Sequence, residues 1–421
     1  LNLIAQARSR ARKTAHGWWV AAAGSANMAI VSTPTHQGAS AIFAAIEDEF
    51  GWSRALITGV ASFGRFGGSL LGPVEGWLTD RFGPARMVLV GLVTAGIGFI
   101  LFSRINAPIH YYATYLLLSI GVSLGSFMPS MTAVNAWLPH RRATGMAIVL
   151  AGSSIGALLV AVMAAAITAF GWRTTVLFIG VVMILVAPLL ARVLAKRAPD
   201  PTRPIANPRA RARPEAEFTA RQAMRTRTFW AMAIGHFLAN LSVGTISAHI
   251  VLHLKDVGLS YGAASGMIGI IGGIAFCAQL TGGFFGDRIN KRLAISVLLL
   301  LQACAVAMLA FVDSYATAVL FAVMWGIGFG GRPPMLHALR GEYFGRQAFG
   351  TITGLSGLIM SGGMMGAPVI VGWVFDVYGT YRWAFLILAA TCVSASAVML
   401  LATRPSPPSP SPQLPSSSEK E

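Results

Sequence analysis

The chain has 421 residues, of which 55% are hydrophobic and only 11% are Asp, Glu, Lys or Arg, at a mean hydropathy of +0.65. A soluble globular domain carries about 25% charged residues, so these figures exclude a soluble fold, a disordered chain, a collagen-like repeat and a secreted disulfide scaffold. The net charge of +17 suggests a nucleic-acid partner only until the charges are placed along the chain.

Crossing a hydrocarbon core takes about 18 or more apolar residues. Twelve such stretches follow one another, at 17–46, 54–78, 87–104, 110–138, 144–169, 173–195, 228–252, 260–285, 293–312, 316–339, 347–373 and 383–403. Gly and Pro punctuate them, as packed membrane helices tolerate. Alternating segments of about ten residues are absent, which excludes a β-barrel. A cleaved signal peptide over residues 1–30 is disfavoured because the first apolar stretch runs on to Ile46.

Basic residues set the expected orientation. With the N-terminus inside, the cytoplasmic loops collect Arg8, Arg10, Arg12, Lys13, Arg81, Arg86, Arg141, Arg142, the basic run from Arg192 to Arg227, Arg288, Lys291, Arg292, Arg340, Arg346, Arg404 and Lys420. Only Arg54, Arg104, Arg173, Lys255 and Arg382 face outward. The basic excess is therefore an orientation signal, with attraction to anionic lipid, and nucleic acid is not an expected partner. Both termini are expected in the cytoplasm.

Residues 197–227 are Pro- and Arg-rich and cannot span. They divide the chain into a cytoplasmic segment 1–16, a six-helix bundle 17–196, a cytoplasmic basic linker 197–227, a second six-helix bundle 228–403 and a disordered cytoplasmic tail 404–421. Internal repetition supports the division. Gly76-x-x-x-Asp80-Arg81 follows the second span and Gly283-x-x-x-Asp287-Arg288 the eighth, while Arg142-x-x-Gly145 and Arg346-x-x-x-Gly350 open the fifth and eleventh. The expected fold class is an all-α membrane protein with twelve transmembrane helices in two pseudo-symmetric six-helix bundles, an architecture of secondary transporters.

In the stretch from Gly76 through Asp80, Arg81, Gly83 and Pro84 to Arg86, Gly76 allows helices to approach, Gly83 and Pro84 make a tight turn, and Asp80 sits at the inner boundary. The N-terminus of the eleventh span starts on that side, and its partial positive charge suits Asp80 as an inner latch. In the second copy Asn290 replaces the turn glycine, so that copy is expected to latch more weakly. These residues resemble the signature loop of the major facilitator superfamily, which implies the major facilitator fold. Asp48-Glu49-Phe50-Gly51-Trp52-Ser53-Arg54, the run from Trp137 to Ala147 and the run from Gly341 to Arg346 resemble the monocarboxylate transporter and oxalate:formate antiporter branch. The fifth span reads Gly152-Ser153-Ser154-Ile155-Gly156-Ala157, without the proline of drug:proton antiporters. The eighth span lacks the Asp and Arg that animal monocarboxylate carriers and the oxalate carrier would place there.

Ionisable residues inside spans are expensive and so become candidates for function. Arg65 lies in the second span, and Arg332 in the tenth, where Gly326 to Gly331 thin the helix and Pro333-Pro334 are expected to break it. Two embedded guanidiniums suit an anionic substrate, because Arg pairs bidentately with carboxylates; pairing with a carbonyl or with Glu75 is the structural alternative. Glu75 is a candidate proton carrier or a packing residue. His36 and Gln37, beside a kink at Pro34, and His236 and Asn240 on the seventh span, are further cavity candidates. His249 and His253 read as an interfacial pair, since no third metal ligand accompanies them. Cys277, Cys304 and Cys392 read as apolar fillers, and neither metal nor cofactor is expected. Gly152/Gly156, Gly326/Gly330 and Gly362/Gly366 are expected at close helix contacts.

The sequence thus reads as a secondary transporter, not an enzyme, in the plasma membrane. Its expected partners are the lipid bilayer, a small organic anion, plausibly a monocarboxylate, and a proton or counter-anion. A drug or other solute antiporter, or a non-transporting sensor, are the alternatives.

Overall fold

Helices begin where the sequence supplies caps: Ser53, Thr226, Ser260, Asn290 and Ser314 each accept a hydrogen bond from a first-turn amide, satisfying donors that a helix start leaves open. The computed structural model describes residues 2–195 and 217–406; side chains at 2–14, 54, 55, 58, 60–70, 261 and 265 lie outside the description. The first half runs α1 (Asn2–Ser32), a π-turn (Thr33–Gln37), α2 (Ala39–Phe50), α3 (Arg54–Phe82), α4 (Pro84–Phe102), α5 (Pro108–Gly125), α6 (Phe127–Trp137), α7 (Arg142–Phe170) and α8 (Trp172–Leu194). The second half runs α9 (Ala220–Met224), α10 (Arg227–Asp256), α11 (Tyr261–Gly286), α12 (Lys291–Leu309), α13 (Tyr315–Phe344), α14 (Phe349–Tyr378) and α15 (Arg382–Leu400). No strand occurs among the described residues.

Every expected span is helical, and two carry a break. Pro129 has no N–H to give to the Gly125 carbonyl; the chain breaks between α5 and α6, and Asn27 of α1 donates instead to Gly125 O (2.8 Å) and Ser126 O (3.3 Å). In the first span Pro34 opens the helix into the π-turn, closed by Gly38 N donating to Thr33 O at 2.8 Å. Nine helical segments among the described residues are long and apolar enough to cross a membrane, α5 with α6 counting as one. α13 is not among them, because Arg332 and the run of glycines before it dilute its hydropathy.

Several expectations change. α1 begins at Asn2, so segment 1–16 and the start of the first span share one helix. α13 does not break at Pro333-Pro334 but continues as one helix to Phe344. Of the linker, residues 197–216 lie outside the described residues, as do residues 407–421 of the tail. Residues 217–227 pack against the second half: Phe218 is buried, stacks edge-on to Phe344, and its N–H bonds Phe344 O at 3.1 Å.

The two halves meet through α3 with α14 and α7 with α11. α3 and α14 touch where Gly72 faces Gly354 and Gly76 faces Gly350, leaving no room for a Cβ at Gly76, Gly350 or Gly354. α7 and α11 touch where Gly283 faces Ala143 and Ala147. The pairing of Gly152 with Ser25, Gly156 with Ser32 and Gly330 with Ala275 is equally close. Gly362/Gly366 is corrected by one position: Gly363 abuts the Phe237 carbonyl, while Gly366 faces open space. A step of one residue turns a helix by about 100°, which is enough to exchange a packed for an open face.

Candidate functional site

Asp80 ends α3 against the N-terminus of α14. Its carboxylate accepts from Gly350 N (2.9 Å), Thr351 N (2.7 Å) and Thr351 Oγ1 (2.7 Å). Asp287 does the same for α7, accepting from Ala143 N (2.9 Å), Thr144 N (2.9 Å) and Thr144 Oγ1 (2.5 Å). Each carboxylate thus meets first-turn N–H groups and the positive end of a helix dipole from the opposite half. The expected weakness of the second copy is corrected, since both make the same set of bonds. Asn290 takes over a different task, capping α12 through Arg292 N and Leu293 N, whereas Gly83 reaches α4 at φ +85°.

The other loop residues stay within their own half. Arg81 lies over the Trp77 and Phe82 rings, Arg288 over Phe284, and Arg86 is exposed. Gly76 and Gly283 provide the close approach that lets Asp80 and Asp287 reach across. A third cross-half contact lies beside them, where Asn135 of α6 donates to Gly345 O at 3.1 Å and leaves no room for a side chain at Gly341. This end of the protein, here called the motif face, is shut.

Just behind that seal the interior carries basic side chains. Arg332 is 2% exposed, and its Nε and Nη1 find no acceptor among the described residues. His236 on α10 is 2% exposed, its Nδ1 has no partner among the described residues, and it lies near Arg332, Arg340 and His337. Asn240, one turn along α10, is also buried. Beside Arg332, a polar network of Gln302, Ser242 and Cys392 joins α12, α10 and α15. A buried guanidinium with no carboxylate partner among the described residues costs several kcal/mol, on the order of the burial penalty of one ion.

Arg340 corrects the orientation reading: it is not a loop cation but 1% exposed inside α13. Arg142 likewise is 1% exposed, donating to Asn135 O at 3.4 Å. Sequence reasoning missed Arg340, His337 and Asn135. The available signal was Arg332-x-x-x-x-His337-x-x-Arg340, three basic residues along an otherwise apolar helix.

The remaining candidates lie elsewhere. Arg65 is in α3, but its side chain falls outside the described residues. Glu75 is buried in the first half and accepts a hydrogen bond from Ser123 of α5. His36 and Gln37 are exposed on the π-turn, His36 bonded to Thr35 Oγ1 (2.8 Å) and Gln37 to Ser153 Oγ (3.4 Å). His236 and Asn240 are thus buried in the same half as Arg332, while Glu75, His36 and Gln37 lie in the other half. His249 and His253 tie helices together, through Pro368 O (3.0 Å) and Leu309 O (2.9 Å).

A family model described as Major Facilitator Superfamily matches residues 26–331 and 275–420. Monocarboxylate transporter 13 of Rattus norvegicus is 24% identical over 355 residues, covering 82% of this chain and 79% of its own. Monocarboxylate transporter 11 of Homo sapiens is 28% identical over 342 residues, covering 78% and 70%. Among solved structures, the transporter FucP in the outward conformation superposes with a TM-score of 0.71 at 13% identity, covering 92% of this chain and 100% of that one. That likeness concerns the fold.

Proposed function

The chain belongs to the Major Facilitator Superfamily, and from that premise we propose that it carries a small organic anion, of the monocarboxylate class, by alternating access. The single observation behind this reading is Arg332, buried in α13 with two donor nitrogens that no described residue accepts. A carboxylate supplies both the missing charge and two acceptors in the geometry of the guanidinium fork. The relatives named for monocarboxylate transport support the same class.

In this reading the motif face is cytoplasmic and the protein sits in the plasma membrane with both termini inside. The conformation described is the one closed to the cytoplasm. The anion reaches Arg332 from the opposite side, the halves rock, and the bonds of Asp80 and Asp287 part as the inner face opens. Charge is balanced by a co-transported proton or by a counter-moving anion. Glu75 is the carrier of that proton in the first case and a packing residue in the second.

The test is uptake into proteoliposomes of labelled lactate, pyruvate, oxalate, a benzoate, a neutral sugar and a cationic dye, with and without an inward proton gradient or preloaded anion. Carboxylate uptake is expected, driven by the gradient in symport and by preloading in exchange. Arg332→Gln is expected to abolish it while membrane insertion is retained. Wild-type rates in that variant, or movement of sugar or dye alone, would overturn the reading.

A further inference from the structure

Arg332 is not the only buried cation on its helix. Arg340 lies eight residues further along α13, about 12 Å nearer the motif face at 1.5 Å per residue. A guanidinium has five donors. Among the described residues those of Arg340 reach only His337 Nδ1, at 3.3 Å from Nη1, and the Met360 sulfur, at 3.6 Å from Nη2, and its Nε has no acceptor. An imidazole and a thioether supply no negative charge. Among the described residues neither Arg332 nor Arg340 forms an ion pair with a carboxylate.

We propose that Arg340 and His337 form a second carboxylate subsite, occupied by the transported anion between Arg332 and release at the motif face. The inference rests on the reading of Arg332 above and extends it along the exit path. His236, on α10 of the same half, lies near both arginines, and its Nδ1 has no partner among the described residues.

The subsite is capped by the opposite half. The Phe127 ring of α6 packs edge-on against His337, with centroids 5.3 Å apart. One turn beyond His337 on α13, Gly341 is covered by Asn135 of α6, which also bonds Gly345 O. Opening the motif face requires α6 to leave α13, and the same movement removes Phe127 and Asn135. Arg340 then becomes accessible from that side while Arg332 remains deeper. Such an arrangement makes the two faces of the carrier unequal: substrate entering from the motif face meets Arg340 first, and substrate entering from the opposite face meets Arg332 first.

The experiment measures half-saturating concentrations of labelled lactate, pyruvate, oxalate and benzoate in right-side-out and everted membrane vesicles. For a carboxylate that the wild type carries, Arg340→Gln is expected to raise the value at the motif face about tenfold, the loss of a charged hydrogen-bond donor, and to leave the opposite face within about twofold. Arg340→Lys keeps the charge without the planar fork; it is expected to give a smaller shift at the same face, and it carries the test if the glutamine variant fails to insert. Equal shifts at both faces, or none at either, would overturn the subsite while leaving Arg332 untouched. Failure of the wild type to move any carboxylate would overturn both readings, and loss of uptake in Arg332→Gln with no shift at either face in Arg340→Gln would overturn only the subsite.

Discussion

Neutralising Asp80 tests how the motif face is held shut. In Asp80→Asn the three acceptor contacts to Gly350 and Thr351, at 2.7–2.9 Å, are served by one carbonyl oxygen, and the amide NH2 is turned toward a backbone donor. A hydrogen bond to a charged group is worth about 1.5–3 kcal/mol, and a charge at a helix end adds about 0.3–1 kcal/mol. A net loss of about 2–3 kcal/mol follows, which reduces the closed-to-open ratio of this face by about 30–150-fold. Amide hydrogen exchange in lipid nanodiscs reads the change directly at Gly350 and Thr351. Because the halves separate as bodies, Ala143 and Thr144 at the other latch are expected to exchange faster as well. Wild-type exchange at both latches would refute the argument, and acceleration at Gly350 and Thr351 alone would refute the concerted opening. Asp287→Asn, removing a matched set of bonds, is expected to produce an effect of the same size.

Gly76→Ala puts a methyl group against the Gly350 carbonyl, an overpacking cost of about 1–3 kcal/mol that falls on the closed state; it is expected to speed exchange at Gly350, whereas Gly266→Ala, facing open space, should not. Asn27→Ala leaves the carbonyls of Gly125 and Ser126 without their donor, so a loss of about 1–3 kcal/mol is expected in thermal unfolding, and an unchanged melting temperature would refute the account of the α5–α6 break. Glu49→Gln removes the ion pair to Arg173 at 2.6 Å, whose side chains are 36% and 44% exposed. Screening by solvent limits that loss to under about 1 kcal/mol, and a fall in melting temperature of more than about 5 °C would show that the pair matters beyond its charge.

The sequence by itself determined the number of spans, the division into halves and the two Asp-bearing loops. Each is written locally along the chain: a hydrocarbon core demands a fixed length of apolar residues, and a backbone without water must close its bonds within the helix. His236 and Asn240 were likewise visible as polar residues in an apolar run. Tertiary structure decided the rest, because hydropathy along a chain does not say which face of a helix meets a neighbour. Arg340 sits at the end of its apolar run and reads as a loop cation, yet α13 continues to Phe344 and α6 covers it. Asp287 reads as the weaker copy, yet its strength is set by the distance to the first turn of α7, which Gly283 fixes by packing on Ala143 and by accepting from Thr144 Oγ1, 139 residues away in sequence. Gly363 rather than Gly362 makes the close contact because the helix phase relative to α10 selects one residue in four. Burial of charge is likewise a property of the folded chain: packing within the second half brings His236 of α10 to Arg332, His337 and Arg340 of α13, and Phe127 and Asn135 of α6 cover the end of that helix.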